Sequence, residues 1–472
     1  MNSDSSPVGT HADVLVLGFG KGGKTAAAQL GRLGKRVVLV EQSERMYGGT
    51  CPNVGCIPSK GMVHHSGLRR PEDPPQEFYA RAVDEIQAVR EFMRVGNRGA
   101  MDAMETVELI TGRPVFVDPH TVRVEAGGGD VRTITADTIL INTGSEPRMP
   151  DIAGLRESPR TMTSTDLLER RGLPERLVII GAGPIGIEFA QIYRHFGSEV
   201  TLIAARAQIL PEQDDDVAAA AHAILDDEGI RVVVGATVTE VRDETGGAVV
   251  VYEQDGAQHT VAADVILPAV GRTPATQGLG LDAAGVQTTD DGDVLVDDHL
   301  RTSQSHIYAL GDVNGGPHHT YISLDDSRIV MDQLVGDGRR SRADRVAIPQ
   351  TLFMTPPLAT VGLTERAARD TGHRVEIAEK PVAEIIAMPR AYAVQETRGM
   401  MKFIIDAETD LVLGAALLSI DAQEVINTVA LAIRHDITAT ELRDSVYTHP
   451  STTEAFNEVL NTIVRADVPQ AA

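Results

Sequence analysis

Apolar positions along the chain fall into short continuous runs separated by stretches of helical spacing. Residues 13–17 (DVLVL) form a run of strand length, residues 25–33 carry small and apolar side chains at helical spacing, and residues 36–40 (RVVLV) form a second strand. That order predicts a βαβ unit. The same order returns with 177–180 (LVII), a helix over 185–195, and 199–203 (EVTLI). Between the two units, 78–107 reads as helix and 138–141 (TILI) as strand. Further strands are expected around 232–234 and 249–251, with Gly246 and Gly247 marking a hairpin between strands. From about residue 348 the pattern changes. Strands around 403–405 and 412–414 precede a helix whose Val425, Ile426, Val429 and Ile433 share one face, as an α+β unit would have. A charged, glycine-containing linker over 337–345 separates this unit from what precedes it.

With 472 residues the chain is long enough for roughly three domains of ~150 residues each. Lys and Arg number 43 against 67 Asp and Glu, a net charge of -24, so nucleic acid would be repelled. The opening residues 1–7 carry no basic end followed by an apolar run, and no stretch has the length to span a bilayer. A cytoplasmic protein is expected, with no membrane partner.

Glycines mark both βαβ turns. Gly18, Gly20 and Gly23 satisfy GxGxxG between strand and helix, where Gly18 permits the turn, Gly20 lets the backbone approach a pyrophosphate and Gly23 allows close packing. Glu41, 23 residues after Gly18, ends the second strand and can accept from a ribose hydroxyl. Gly181, Gly183 and Gly186 repeat the motif, but the equivalent of Glu41 is Ala204, with Arg206 two residues on. An uncharged position no longer repels a 2′-phosphate and an arginine can bind it, so NADPH is favoured, with NADH as the alternative. The lesser alternative is that Arg206 is a solvated loop residue.

Only two cysteines occur, both in 48–60 (GGTCPNVGCIPSK). A bridge between Cys51 and Cys56 would close so short a loop that it adds little stability, which leaves redox chemistry or two reduced structural thiols. Cys51 lies at an expected helix start, where the dipole favours thiolate, and Lys60, four residues after Cys56, shares its helical face.

This segment resembles the signature of the class I pyridine nucleotide disulfide oxidoreductases, the family of glutathione reductase, dihydrolipoamide dehydrogenase and mercuric reductase. The resemblance extends to 141–145 (INTGS), 268–274 (PAVGRTP), 307–312 (IYALGD) and 448–454 (THPSTTE). It implies an α/β fold with two Rossmann-like nucleotide-binding domains, for FAD and NAD(P), plus a C-terminal α+β dimerisation domain. The boundaries expected are 1–155 and 276–345 for the two parts of the FAD domain, 156–275 for the NAD(P) domain and 346–472 for the dimerisation domain. It further implies a homodimer whose partner supplies His449 and Glu454 to each active site, Cys56 as the sulfur nearest the flavin, Cys51 as the outer thiol, and Lys60 paired with Glu188. Flavin and nucleotide contacts are implied for Gly49, Thr50, Thr143, Gly144, Gly271, Asp312 and Thr320.

A narrower similarity, to the reactive chlorine resistance branch whose members reduce hypothiocyanous acid, rests on 18–21 (GFGK), 41–43 (EQS), 46–49 (MYGG), 320–326 (TYISLDD) and 353–357 (FMTPP). It makes a small oxidant the expected substrate. Ala204 departs from the branch, which has an acid there. Mercuric reductase is the enzyme alternative, set against residues 467–472, which lack its extra cysteine pair. Ala204 and Arg206 argue against a dihydrolipoamide dehydrogenase, the intact cysteine pair against a transhydrogenase, and the cysteines with His449 and Glu454 against a scaffold without turnover. His64, His65, His318 and His319 suggest no metal site, because adjacent histidines diverge and no third ligand is evident. Asp214, Asp215 and Asp216 are expected to open a helix, not to hold a cation.

Overall fold

The computed structural model describes residues 10–463. Residues 1–7 and 467–472, read above, lie outside the described residues.

Continuous apolar runs need cover on both faces, and the first sheet has it. Its parallel strands lie in the order Val107–Asp118, Val37–Glu41, Thr10–Leu17, Val131–Ile141 and Ile307–Ala309. Strand Thr121–Ala126 runs antiparallel between the long outer strands. Ile307–Ala309 arrives only after the second unit has been completed, so the first unit is built from two separated pieces of chain. The second sheet is parallel, in the order Val265–Pro268, Arg176–Ile180, Glu199–Ile203 and Arg231–Val233. An antiparallel meander of Ala236–Glu244, Gly247–Gln254 and Ala257–Ala263 is inserted between its strands Arg231–Val233 and Val265–Pro268, turning through Gly246 at φ 91°. Strands Ser145–Pro147 and Arg272–Pro274 pair where the chain passes between the two units.

Residues 350–418 form a five-stranded antiparallel sheet. Helix Ala422–Arg434 packs on it, with Val425, Ile426 and Val429 buried and Ile433 half-buried against the same core. Among the described residues no helix is long and apolar enough to cross a membrane.

Three element boundaries differ from the sequence pattern. The first helix is Lys21–Arg32, so it begins inside the glycine motif. Glycine's low helix propensity is overridden there because the Gly22 and Gly23 N–H groups donate to Ser323 Oγ (3.0 Å) and Asn142 Oδ1 (2.8 Å). The long helix is Pro75–Asp102, and Val107 already belongs to a strand. The helix expected to start at Cys51 is two: Thr50–Val54, then Cys56–Leu68, broken at Gly55 with φ -129° and ψ -121°.

The acidic run does open a helix, Asp215–Asp227, with Asp214 at the N-cap. It also receives a cation the sequence did not suggest. Lys402, from strand Met400–Asp406, is buried and reaches Asp216 (2.6 Å), Glu365 (2.8 Å) and Asp214 (3.5 Å). Asp214 also accepts from the Glu365 N–H (2.8 Å), so this cluster ties the second nucleotide unit to the C-terminal sheet. Lys402→Met should leave three carboxylates facing one another and cost about 3–5 kcal/mol in a denaturant titration. A loss under about 1 kcal/mol would mean the acids find solvent and the cluster does not anchor the two parts.

Candidate active site

The first glycine turn is shaped by close contact with Asn142. Gly18 has φ 102°, and a Cβ there would lie 2.3 Å from the Asn142 carbonyl; one on Gly20 would lie 2.6 Å from Asn142 Oδ1. Asn142 is itself buried, donating through Nδ2 to Leu310 O (2.5 Å) while its N–H donates to Leu17 O (2.7 Å). One residue, through its side chain and its backbone, thus joins the ends of three strands to the glycine turn. Glu41 ends its strand, buried, accepting from the Phe19 N–H (2.9 Å). Burial pushes its carboxyl up to about 7 against the pull of that hydrogen bond.

A cavity of about 720 Å³ runs past this turn. It is lined by Gly18, Gly20, Glu41, Gly49, Thr50, Thr143, Gly144 and Asp312, and by Cys51, Cys56, Lys60, Glu188 and Thr320. Gly23 packs behind the lining. Asp312 accepts from Ser145 Oγ (2.6 Å), which accepts in turn from Arg272 Nε (2.7 Å). Thr143 Oγ1 is buried with no hydrogen-bond partner, a polar atom aimed at something the protein does not supply.

Both thiols are unbridged, and Cys56 is the more exposed. Cys56 opens helix Cys56–Leu68, and its sulfur lies 3.5 Å from the hydroxyl of Thr320, the first residue of helix Thr320–Val335. Two helix N-termini therefore converge on one sulfur. The Cys51 thiol hydrogen-bonds to Cys56, and that bond, helped by Thr320 and Lys60 and opposed by burial, brings Cys56 down to about 6. The same bond, then burial, holds Cys51 well above the usual thiol range. The helix N-terminus at Cys51, only five residues long, does not offset this.

Lys60 and Glu188 meet as the sequence suggests. Lys60 Nζ lies 3.0 and 2.8 Å from the two Glu188 oxygens, and sits 4.8 Å above the Phe353 ring. Buried Glu188 also accepts from the Phe353 N–H (2.9 Å).

The second glycine motif forms its own turn outside this cavity. Gly181 has φ 111°, and a Cβ there would meet the Ala269 carbonyl at 2.5 Å; one on Gly186 would meet Gly181 O at 2.0 Å. A Cβ on Gly183, at the start of helix Pro184–Phe196, would meet only open space, and Gly271 (φ 111°) is likewise open. Ala204 is buried at the strand end, while Arg206 is exposed and has no side-chain hydrogen bond or ion pair among the described residues.

His449 and Glu454 pair with each other, Nδ1 to Oε1 2.9 Å, but do not line the cavity. His449 is 70% exposed. Burial raises Glu454, but the Ser451 N–H and His449 outweigh it and leave its carboxyl below the usual range. Of the histidine pairs, His318 and His319 line the cavity and His65 lies 3.5 Å from Glu85. Among the described residues the one trio of metal-capable atoms within 4.8 Å is His11, Asp13 and Asp137, and Asp13 is occupied by the Arg36 N–H.

Sequence reasoning missed Asn142, Ser145 and Arg272, although each stands inside a quoted segment, just after an apolar run. It also missed Lys24 and Asn97, whose pairing spans 73 residues.

The pyridine nucleotide-disulphide oxidoreductase pattern matches residues 12–327, and the dimerisation domain of that family matches 348–460. The chain is 40% identical to the probable pyridine nucleotide-disulfide oxidoreductase RclA of Escherichia coli K12 over 95% of this chain and 98% of that one. It is 34% identical to a mercuric reductase of Lysinibacillus sphaericus, over 92% of this chain and 79% of that protein. The solved structure of the HOCl-induced flavoprotein disulfide reductase RclA from Escherichia coli superposes with a TM-score of 0.89 at 40% identity, covering 96% of this chain and all of that one.

The two thiols should titrate apart. In the dithiol protein, thiolate absorbance near 240 nm should appear with a midpoint near pH 6 and vanish in Cys56→Ser. Cys51→Ser should move the midpoint upward, because the leading cause of the low value is the hydrogen bond from Cys51. An unmoved midpoint would assign the effect to the helix termini and Lys60 instead.

Proposed function

Because the chain belongs to the pyridine nucleotide-disulphide oxidoreductase family, FAD-dependent enzymes acting on sulfur, we propose that it carries electrons from NADPH to the Cys51–Cys56 pair and on to a small sulfur electrophile such as hypothiocyanous acid. The observation that carries this reading is a cavity in which a thiol of depressed pKa, Cys56, stands beside a second thiol, Cys51.

The residues present fit FAD. The unpartnered Thr143 hydroxyl, the side-chain-free approach at Gly20 and Gly49, and Glu41 at the strand end offer a hydroxyl, a phosphate cradle and a ribose acceptor along one cavity. Bound FAD supplies the two-electron relay between nicotinamide and disulfide. Lys60, fixed by Glu188, sets a positive charge on the cavity wall beside Cys56, and the Thr320 hydroxyl hydrogen-bonds with the same sulfur.

Cys51 is the outer thiol on this reading. Its thiolate attacks the sulfur of hypothiocyanous acid, forming Cys51–S–SCN while hydroxide leaves and takes a proton as water. Cys56 thiolate then attacks Cys51 sulfur, the disulfide forms and thiocyanate departs, so one two-electron reduction is completed. His449, oriented by Glu454, handles the protons at Cys51. His449 is exposed and the pair lies outside its own chain's cavity, which supports delivery across a homodimer axis. Ala204 removes the acid that would repel a 2′-phosphate, and the uncommitted Arg206 beside it supports NADPH over NADH.

A steady-state panel of hypothiocyanous acid, oxidised glutathione, lipoamide, mercuric ion and cupric ion at fixed NADPH tests the oxidant. Hypothiocyanous acid should give the highest kcat/KM by at least about tenfold, roughly 1.4 kcal/mol in transition-state stabilisation. A larger value for any other member would displace it. The shared site is tested by co-expressing His449→Ala chains with Cys51→Ser chains. Half the dimers should be mixed, each with one complete site of two, so activity should return to roughly one quarter of the unsubstituted protein while each parent alone is nearly inactive. Demonstrated heterodimers without recovery would remove His449 from the partner's site.

A further inference from the structure

Lys24 stands apart from the other buried cations of the chain. It lies one turn into the first helix, Lys21–Arg32, and its ammonium is half-buried behind the cysteine loop, not in the cavity. There it donates to Gly48 O (3.2 Å) and Asn97 Oδ1 (2.6 Å), and it has no carboxylate partner among the described residues. Half-buried Lys60 and buried Lys402 by contrast each hold acids. Desolvation brings Lys24 down to about 8, the value of a cation still charged at neutral pH but lacking an anion.

The anion it lacks is the one the proposed reaction creates. Gly48 precedes Cys51 by three residues, and Lys24 and Cys51 act on each other's charge. Cys51 otherwise faces Cys56, whose own negative charge repels a second thiolate, and the Thr320 hydroxyl, which favours ionisation by a hydrogen bond but carries no charge. Lys60 serves Cys56 from the cavity wall, and Lys21, on the same helix turn, pushes charge away from Lys24. We propose that Lys24, held by Asn97 and the Gly48 carbonyl, is a positioning residue whose ammonium stabilises the Cys51 thiolate from behind the loop, leaving the cavity face free for the oxidant. The inference rests on Cys51 being the outer thiol. It assigns the two cysteines separate counter-charges: Lys60 for Cys56 and Lys24 for Cys51.

The test is the pH profile of alkylation in the holoenzyme reduced by one equivalent of NADPH, with iodoacetamide as probe and peptide masses reporting which sulfur displaces iodide. Lys24→Met should slow labelling of Cys51 about tenfold at pH 7, moving its midpoint up by about one pH unit. Lys24→Arg should restore it. Asn97→Asp keeps the lysine but supplies the missing carboxylate at 2.6 Å, and should raise the midpoint in the same direction even if Lys24→Met folds poorly. Equal slowing by Lys24→Met and Lys24→Arg, or an unmoved midpoint in Asn97→Asp, overturns the role of the charge. Label on Cys56 alone in the unsubstituted holoenzyme, with none on Cys51 at any pH, overturns instead the outer-thiol assignment beneath it.

Discussion

One buried carboxylate holds three separate parts of the chain at the point where the thiols lie. Glu188, on the second-motif helix, accepts from Lys60 on the cysteine helix and from the Phe353 N–H at the start of the C-terminal unit. A buried charge must be paired and hydrogen-bonded or the fold loses several kcal/mol, on the order of 3–5, so the three parts are not free to drift independently. The position of the Lys60 ammonium beside Cys56, and of Phe353 beneath it, follows from that requirement. The chemistry proposed for the cavity therefore depends on an interaction that also assembles the fold.

The local backbone then divides labour between two sulfurs that are close in sequence. Breaking the helix at Gly55 gives Cys56 an N-terminal position on a helix of 13 residues, and Thr320 brings a second helix start to the same atom. Cys51 is left on a five-residue turn, hydrogen-bonded to its neighbour. Had the chain formed one unbroken helix from Cys51, the stronger dipole would favour the other thiol. The broken helix at Gly55 thus adds to an asymmetry whose leading cause is the hydrogen bond from Cys51 to Cys56.

What was legible in the sequence was whatever constrains the backbone locally. Gly18 and Gly181 stand where a Cβ would strike a carbonyl, and the strands on either side are unbroken apolar runs, so both βαβ units could be read directly. Polar partners drawn from distant segments could not. Asn142 serves a glycine 119 residues away, and Lys402 reaches acids up to 188 residues earlier, distances over which periodicity carries no information. The first helix also began four residues before its apolar pattern did, because its glycines take their hydrogen-bond partners from other elements. His449 and Glu454 were legible as a motif, yet their place relative to the cysteines is a matter of assembly, which one chain's sequence does not encode locally.

Charge gives the last constraint. The chain carries a net -24, and its long-range field opposes polyanions, yet the proposed cofactors are themselves anionic. The cavity answers this locally: Lys21, Lys60, Arg113 and Arg272 lie along it, and the glycine turn presents a helix start to a phosphate. Over the Debye length of about 8 Å at physiological salt, these nearby groups outweigh the distant acids for a ligand already in the cavity. A compact diphosphate inside the cleft is therefore held where an extended polyanion on the surface would be repelled.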